Sequence, residues 1–376
     1  MQRELLKSKL PPGIPKPDDR AGLILKRRRD YSQASWENYF DSFQDVNVGE
    51  SNIFRVYKSG SNGPVLLLLH GGGFSALTWS LFTVKVTTLS HCQIVAVDCR
   101  GHGDTRTSDD LDLSIETLTD DVRVLIDTLY PRDPPSIILI GHSMGGAIAV
   151  HVAAERLLPS LVGIVVVDVV EGTALEGLSV MQSFLKSRPK RFGSMEKAIE
   201  WSVRSGQLRN VESARVSMPG QLVKIMSNSE QSESSSNLPG LTVISEDSTE
   251  ITVNDQNNET STEQCEYRWR IELSETEKHW RGWFNNMSQL FLSCPVPKLL
   301  LVAGRDRLDK ELTLAHIQGK FQLHVLPKCG HAVHEDDPDK VAEMLSTFMT
   351  RHKFAEPKES CQRIKIETGK PNGFIK

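Results

Sequence analysis

The run Gly141-His142-Ser143-Met144-Gly145 sets a serine between two glycines, with the apolar Ile138-Leu139-Ile140 before it and Gly146-Ala147-Ile148-Ala149-Val150 after it. A serine hydroxyl is a poor nucleophile until a backbone presents it on a sharp strand-to-helix turn, where glycines relieve the crowding on either side. Ser143 is therefore the candidate nucleophile. Attack on a carbonyl also needs donors for the oxyanion, and His70-Gly71-Gly72-Gly73 directly follows the apolar run Val65 to Leu69. Backbone free of side chains can turn amides toward a reacting oxygen, so the expected hole is the amides of Gly72 and Met144, with Gly73 as a third donor. Glycine-rich turns also cradle phosphates, but no G-K-[ST] follows and the required lysine is missing.

A general base is expected after the last strand. Phe321 to Leu326 leads through Pro327-Lys328-Cys329-Gly330 to His331, with His334 three residues further on. His331 follows the loop glycine directly, whereas His334 falls at the start of the next helix, so His331 is the expected base. The orienting acid has two candidates. Asp168 ends the run Val162 to Val167, and Asp306 follows the run Leu299 to Val302. Both stand at strand C-termini, and either is placed to hold the second nitrogen of the histidine, with spacing alone slightly favouring Asp306.

These groups need a scaffold that brings strand ends together. From Ile53 to Val170 short apolar runs alternate with polar or amphipathic segments, and the runs are continuous rather than alternating. Such strands imply a mostly parallel sheet covered by helices on both faces. Between two of them, Ser114, Leu118, Val122, Leu125 and Ile126 read as a capped amphipathic helix. The alternation stops after Val170 and resumes at Lys298. What lies between has helical spacing, which predicts a helical lid over the strand ends.

The expected organisation is therefore a basic, proline-rich tail over 1–38, the first part of a core over 39–170, a lid over 171–293, the second part of the core over 294–354 and a loose tail over 355–376. Inside the lid, residues 227–266 hold nine Asp or Glu and no Lys or Arg, the composition of a disordered acidic loop.

The chain has 376 residues, 44 Lys plus Arg, 48 Asp plus Glu and a net charge of -4, which gives no overall pull toward nucleic acid or anionic membrane. Six cysteines lack metal spacing, and the N-terminus lacks the apolar core of a signal peptide, so an intracellular protein is expected. No metal and no cofactor is required by the chemistry above.

The order of His70-Gly71-Gly72-Gly73, Asp98-Cys99-Arg100-Gly101-His102-Gly103, the Ser143 motif and Gly330-His331 resembles the α/β-hydrolase superfamily. More narrowly, Phe54 to Gly60, Asp168-Val169-Val170-Glu171-Gly172-Thr173-Ala174, Glu212 to Met218, Trp269 to Leu273 and Cys329 to Asp336 resemble the protein phosphatase methylesterases. The resemblance spans about Tyr39 to Glu356 apart from the acidic loop. It implies an α/β-hydrolase fold and a serine carboxylesterase. The implied substrate is the methyl ester on the C-terminal leucine of the protein phosphatase 2A catalytic subunit, in a nuclear and cytoplasmic setting. It also implies that the acid is the aspartate opening the D-V-V-E-G-T-A stretch, Asp168, with Asp306 as the alternative. A protein tail as substrate makes Trp201, Trp269, Trp280 and Trp283 candidate walls of a groove, or else ordinary lid core.

Within the acidic loop, Leu241, Ile244 and Glu246 fit L-x-x-I-x-E, which resembles the linear motif bound by B-prime regulatory subunits of phosphatase 2A. Two rival functions share these features. A general small-molecule carboxylesterase would show no preference for a protein methyl ester, and a non-catalytic phosphatase-binding protein would not react with a fluorophosphonate at Ser143.

Overall fold

The computed structural model describes residues 29–225, 266–304 and 308–358. Asp306, the Leu241, Ile244 and Glu246 motif, most of the basic tail and the end of the C-terminal tail lie outside the described residues. In chain order the strands are β1 (Ser42–Val48), β2 (Asn52–Ser59), β3 (Val65–Leu69), β4 (Gln93–Val97), β5 (Ile137–His142), β6 (Leu161–Val167), β7 (Arg191–Phe192), β8 (Leu222–Ile225), β9 (Glu266–Trp269), β10 (Lys298–Val302) and β11 (Gln322–Val325). Eight make one sheet in the order β1-β2-β4-β3-β5-β6-β10-β11, and β7, β9 and β8 form a separate small sheet.

The helices are α1 (Ser80–Leu89), α2 (Ile115–Leu129), α3 (Met144–Ala154), α4 (Glu171–Ser187), α5 (Met195–Arg204), α6 (Val211–Ser217), α7 (Glu277–Phe284), α8 (Met287–Ser293), α9 (Lys310–Ile317), α10 (Val333–Asp336) and α11 (Pro338–Arg351). No helix among the described residues is long and apolar enough to cross a membrane.

The central strands are apolar throughout because both of their faces are covered. Every residue of β3 and β5 is buried. Leu66, Leu68, Ile138 and Ile140 pack into the core beneath α1 and α11, while Val65, Leu67, Leu69, Ile137 and Leu139 pack into the core beneath α2 and α3. A residue on either face of a parallel strand therefore has no solvent side for a polar group to occupy. The antiparallel edge differs. β1 pairs with β2, and β2 with β4, in antiparallel register. In β1 only Val46 and Val48 are buried, so this strand carries little apolar signal.

Between β6 and β10 the chain forms α4 to α8 and the three-stranded sheet. Strands of two to four residues are too short to leave a periodicity, and helical spacing alone does not announce them. Phe192, Trp201 and Trp269 pack edge-on or tilted against one another around this sheet. Trp283 ties the segment to the main domain, its indole N–H donating to the Leu113 carbonyl at 2.7 Å. The Ser114 hydroxyl at the start of α2 bonds to Asp112 and Thr117 and does not cap a helix amide.

Register fixes what meets at the strand ends. Leu69 lies opposite Gly141, His142 opposite Val167, and Val167 opposite Leu301. The residues that follow β3, β5 and β6, namely His70, Ser143 and Asp168, therefore leave the sheet side by side at its carboxyl edge, where open α/β sheets place their sites.

Candidate active site

Ser143 joins β5 to α3 with φ 51° and ψ -115°, a left-handed conformation for a residue with a side chain. Such strain persists only when the surroundings impose it. Here they do, through close approach. A Cβ on Gly141 would sit 2.0 Å from the Gly145 carbonyl oxygen, and one on Gly145 would sit 2.4 Å from the Leu69 carbonyl oxygen. The Ser143 amide donates to Val167 and the Gly145 amide to His70, which locks the turn to β6 and to the turn after β3. Gly145→Ala is expected to force β3 and α3 apart, costing about 3 kcal/mol or more and lowering the melting midpoint by about 5 °C or more. Melting within about a degree of wild type by calorimetry would contradict that packing.

Asp168 follows β6, also at φ 51°. Its Oδ1 accepts from the Ala303 amide at 2.8 Å, and its Oδ2 accepts from Nδ1–H of His331 at 2.8 Å. The carboxylate is fully buried while the imidazole is half exposed, so the pair has a dry end and an open end. The His331 backbone is gripped on two sides. The Gly330 amide donates to Asp336 Oδ2 at 2.6 Å, and Nε2–H of His142 donates to the His331 carbonyl at 3.0 Å.

With its Nδ1 proton on Asp168, His331 presents an Nε2 lone pair. Ser143 Oγ makes no hydrogen bond among the described residues, as is common for catalytic groups in enzymes without substrate. His334 has a different setting. It is fully buried, its Nε2 lies 2.8 Å from Thr78 Oγ1, and its ring packs on Trp79. Burial pushes its pKa down to about 3, which leaves it neutral and enclosed.

The amides expected to form the oxyanion hole divide cleanly. The Met144 amide, at the N-terminus of α3, and the Gly72 amide have no acceptor among the described residues, and each such donor is worth about a hundred- to thousand-fold in rate. Gly71 lies against Ser143, since a Cβ on it would be 3.2 Å from the serine Cβ, and Gly72 lies against Met144 and Leu273. The Gly73 amide is not free. It donates to His102 Nε2 at 2.8 Å, so the third donor expected from the sequence is engaged.

His102 can accept because its Nδ1–H donates to the Arg100 carbonyl, and His70 likewise accepts from the Cys99 amide while its Nδ1–H donates to the Gly71 carbonyl. Burial holds His102 down at about 4 and His70 well below the ordinary imidazole range, so each keeps one acceptor nitrogen near neutral pH. The buried Asp98 accepts from the Ala76 and Asp104 amides, and burial pushes it up to about 7. Asp98 and these two histidines therefore brace the turn that offers Gly72.

His102, His142 and Asp336 escape a reading by residue type. Their sequence signal is membership of the motifs around Gly101, Ser143 and His331, which does not reveal what each holds. Of the four tryptophans, Trp269, Trp280 and Trp283 are buried, with indole N–H groups bonded to Pro189, Thr276 and Leu113. Trp269 packs inside the inserted segment, whereas Trp280 and Trp283 pack into the core beneath α2 and α3. Leu273 of the inserted segment lies against Gly72.

Set beside known proteins, residues 66–344 match the alpha/beta hydrolase family. "Protein phosphatase methylesterase 1" of Bos taurus is 55% identical over 342 residues, covering 88% of this chain and 89% of the relative. The human protein of the same name is 54% identical, covering 88% of each. "Probable protein phosphatase methylesterase 1" of Caenorhabditis elegans is 41% identical over 360 residues, covering 96% of this chain and 88% of the relative.

The chain belongs to the protein phosphatase methylesterase family. Membership makes it a carboxylic ester hydrolase. Among solved structures, an E-2-(acetamidomethylene)succinate hydrolase superposes with a TM-score of 0.62 at 17% identity, covering 82% of this chain and 99% of its own. An esterase of Mycobacterium tuberculosis gives 0.54 at 20% identity, covering 82% and 91%. At such identities the likeness is one of fold, and the methylesterase family alone carries the chemistry.

Proposed function

We propose that this enzyme demethylates the C-terminal leucine methyl ester of the protein phosphatase 2A catalytic subunit, through an acyl-enzyme on Ser143. The observation that carries the reading is the Asp168–His331 contact at 2.8 Å at the strand edge that also bears Ser143 and the unengaged Gly72 and Met144 amides, in a member of this family. His331 Nε2 takes the hydroxyl proton as Ser143 Oγ bonds to the ester carbonyl carbon. The two amides hold the resulting oxyanion, while Asp168 stabilises the imidazolium and keeps it oriented. Collapse breaks the bond to the methoxy oxygen, which leaves as methanol with the proton from His331. A water then gives its proton to His331 and its oxygen to the acyl carbon, and the second collapse returns the proton to Ser143 and frees the leucine carboxylate.

In this reading the segment between β6 and β10 is a lid, with Leu273 at the mouth of the site. Leu241, Ile244 and Glu246 serve as a docking motif for B-prime subunits. The setting is intracellular, nuclear and cytoplasmic, and the free, buried Cys92, Cys99, Cys294 and Cys329 suit a reducing compartment.

Methanol release from methylated phosphatase 2A holoenzyme containing a B-prime subunit, set against hydrolysis of p-nitrophenyl acetate, tests both parts. Binding energy from remote contacts is expected to raise kcat/KM for the protein ester by about a hundredfold or more over the small ester. The double substitution Leu241→Ala and Ile244→Ala is expected to erode that advantage without touching the small ester. Equal kcat/KM for both substrates would make the enzyme a general carboxylesterase, and an unaltered double variant would remove the docking role.

A further inference from the structure

The loop that carries His331 and the turn that carries Gly72 meet in a buried joint that the chemistry above does not use. From the oxyanion turn the chain runs through Phe74 into the short 3₁₀ turn Ala76–Trp79, and from His331 it runs into α10. Thr78 and Glu335 close the joint. Thr78 Oγ1 hydrogen-bonds Glu335 Oε1 and stands 2.8 Å from His334 Nε2, and all three side chains are buried. One face of the His334 ring lies on Trp79, with centroids 4.1 Å apart, and His142 stands 4.6 Å away. His142 is the residue whose Nε2–H holds the His331 carbonyl. A contiguous path of packed and bonded groups thus runs from Glu335 through Thr78, His334 and His142 to the backbone of the base.

A hydroxyl carries one proton, so Thr78 must donate to one neighbour and accept from the other. Burial pushes Glu335 up to about 8 and His334 down to about 3, so near neutral pH both are uncharged. With the acid proton on Oε1, Glu335 donates to Thr78 Oγ1 and the Thr78 hydroxyl donates to His334 Nε2, an arrangement that puts the His334 proton on Nδ1, which has no partner among the described residues. Ionising Glu335 reverses the chain: Thr78 turns its proton to the carboxylate, and His334 must shift its own from Nδ1 to Nε2.

The carboxylate so formed is poorly served. Oε1 has the Thr78 hydroxyl, while Oε2 has no hydrogen-bond partner among the described residues. Facing it are the Ser217 hydroxyl from the end of α6, His334 on its own helix and the like-charged Asp336, and no described cation pairs with it. The Ser213 hydroxyl on α6 donates to the Glu335 backbone carbonyl and not to its carboxyl group.

We propose that Glu335 is a positioning residue whose carboxylic acid, acting through Thr78 and His334, locks the His331 loop to the oxyanion turn, and that loss of its proton loosens this lock. The proposal rests on the reading of Ser143, His331 and Asp168 as the reacting groups.

The test follows kcat for p-nitrophenyl acetate from about pH 6 to about pH 10 in wild type, Glu335→Gln and Glu335→Ala, with melting midpoints over the same range. Glutamine keeps an N–H to donate to Thr78 and has no proton to lose. Wild-type kcat is expected to hold to about pH 8 and then fall about tenfold by pH 10, because sub-ångström misplacement of a base is costly. Glu335→Gln should stay within about threefold of wild type at pH 7 and show no such fall, and Glu335→Ala should lose about tenfold at every pH with KM within about twofold.

Stability gives an independent readout. A buried acid raised from 4.5 to about 8 loses stability as pH climbs between the two values, because the unfolded chain sheds the proton first. The melting midpoint of Glu335→Gln relative to wild type should therefore rise across that window. An alkaline fall that persists in Glu335→Gln, a flat difference in melting midpoints, or a glutamine variant as impaired at pH 7 as the alanine variant overturns the proposal. Should Glu335→Ala not fold, the glutamine profile decides alone. Wild-type hydrolysis that does not depend on Ser143 would instead sink the catalytic reading on which the proposal rests.

Discussion

Ser143→Ala is expected to cut kcat for methanol release about a millionfold while leaving the fold intact, and the two halves of that expectation come from different observations. Catalysis is lost in the proposed mechanism because the Ser143 hydroxyl is the group that bonds to the substrate. Stability is kept because Ser143 Oγ has no hydrogen-bond partner among the described residues, while the contacts that hold the turn are backbone ones, the close approaches at Gly141 and Gly145 and the Ser143 amide to Val167, all of which alanine retains. Alanine inherits the same left-handed φ, so the change in stability should stay within about 0.5 kcal/mol. Residual activity of about a thousandfold over the uncatalysed rate should remain from the oxyanion donors and binding alone. Release by Ser143→Ala above about a thousandth of wild type would place the nucleophile elsewhere.

The sheet was legible because both of its faces are covered, which forces whole strands such as Val65–Leu69 and Ile137–His142 to be apolar and so to stand out from their neighbours. β1 was not legible for the converse reason, its first four residues being exposed. The turn around Ser143 was legible because sterics leave glycine as the residue that fits at 141 and 145.

What spacing cannot carry is which partner an amide or a ring nitrogen finds. Gly72 and Gly73 are identical in type and adjacent, yet one amide has no acceptor among the described residues and the other is held by His102, twenty-nine residues away. His102, His142 and His334 look alike in sequence, and burial with the partner each ring finds turns each into a brace: His102 is bonded through both nitrogens, His142 and His334 through Nε2. Spacing alone slightly favours Asp306 over Asp168, and only the family resemblance reverses that order. It takes three dimensions to show that Asp168 reaches His331 at 2.8 Å with its other oxygen spent on the Ala303 amide.

That second hydrogen bond makes Asp168→Asn a severe change at nearly constant shape. Asparagine offers one accepting oxygen and one donating NH₂ where aspartate offers two acceptors. If the oxygen stays on the Ala303 amide, the NH₂ faces His331 Nδ1, which must then accept, and the imidazole proton moves to Nε2. The base then presents a proton to Ser143 where it needs a lone pair. If the amide turns over, its NH₂ meets the Ala303 N–H, and a fully buried donor pair is left unsatisfied. The first arrangement costs less, so Asp168→Asn is expected to fold, to keep KM within about threefold and to lose about ten-thousandfold in kcat near neutral pH. Nitrogen-15 chemical shifts of His331 should report the proton on Nδ1 in wild type and on Nε2 in the variant. A loss smaller than about tenfold, with the wild-type tautomer retained, would remove Asp168 from the reaction and turn the search for the acid to Asp306.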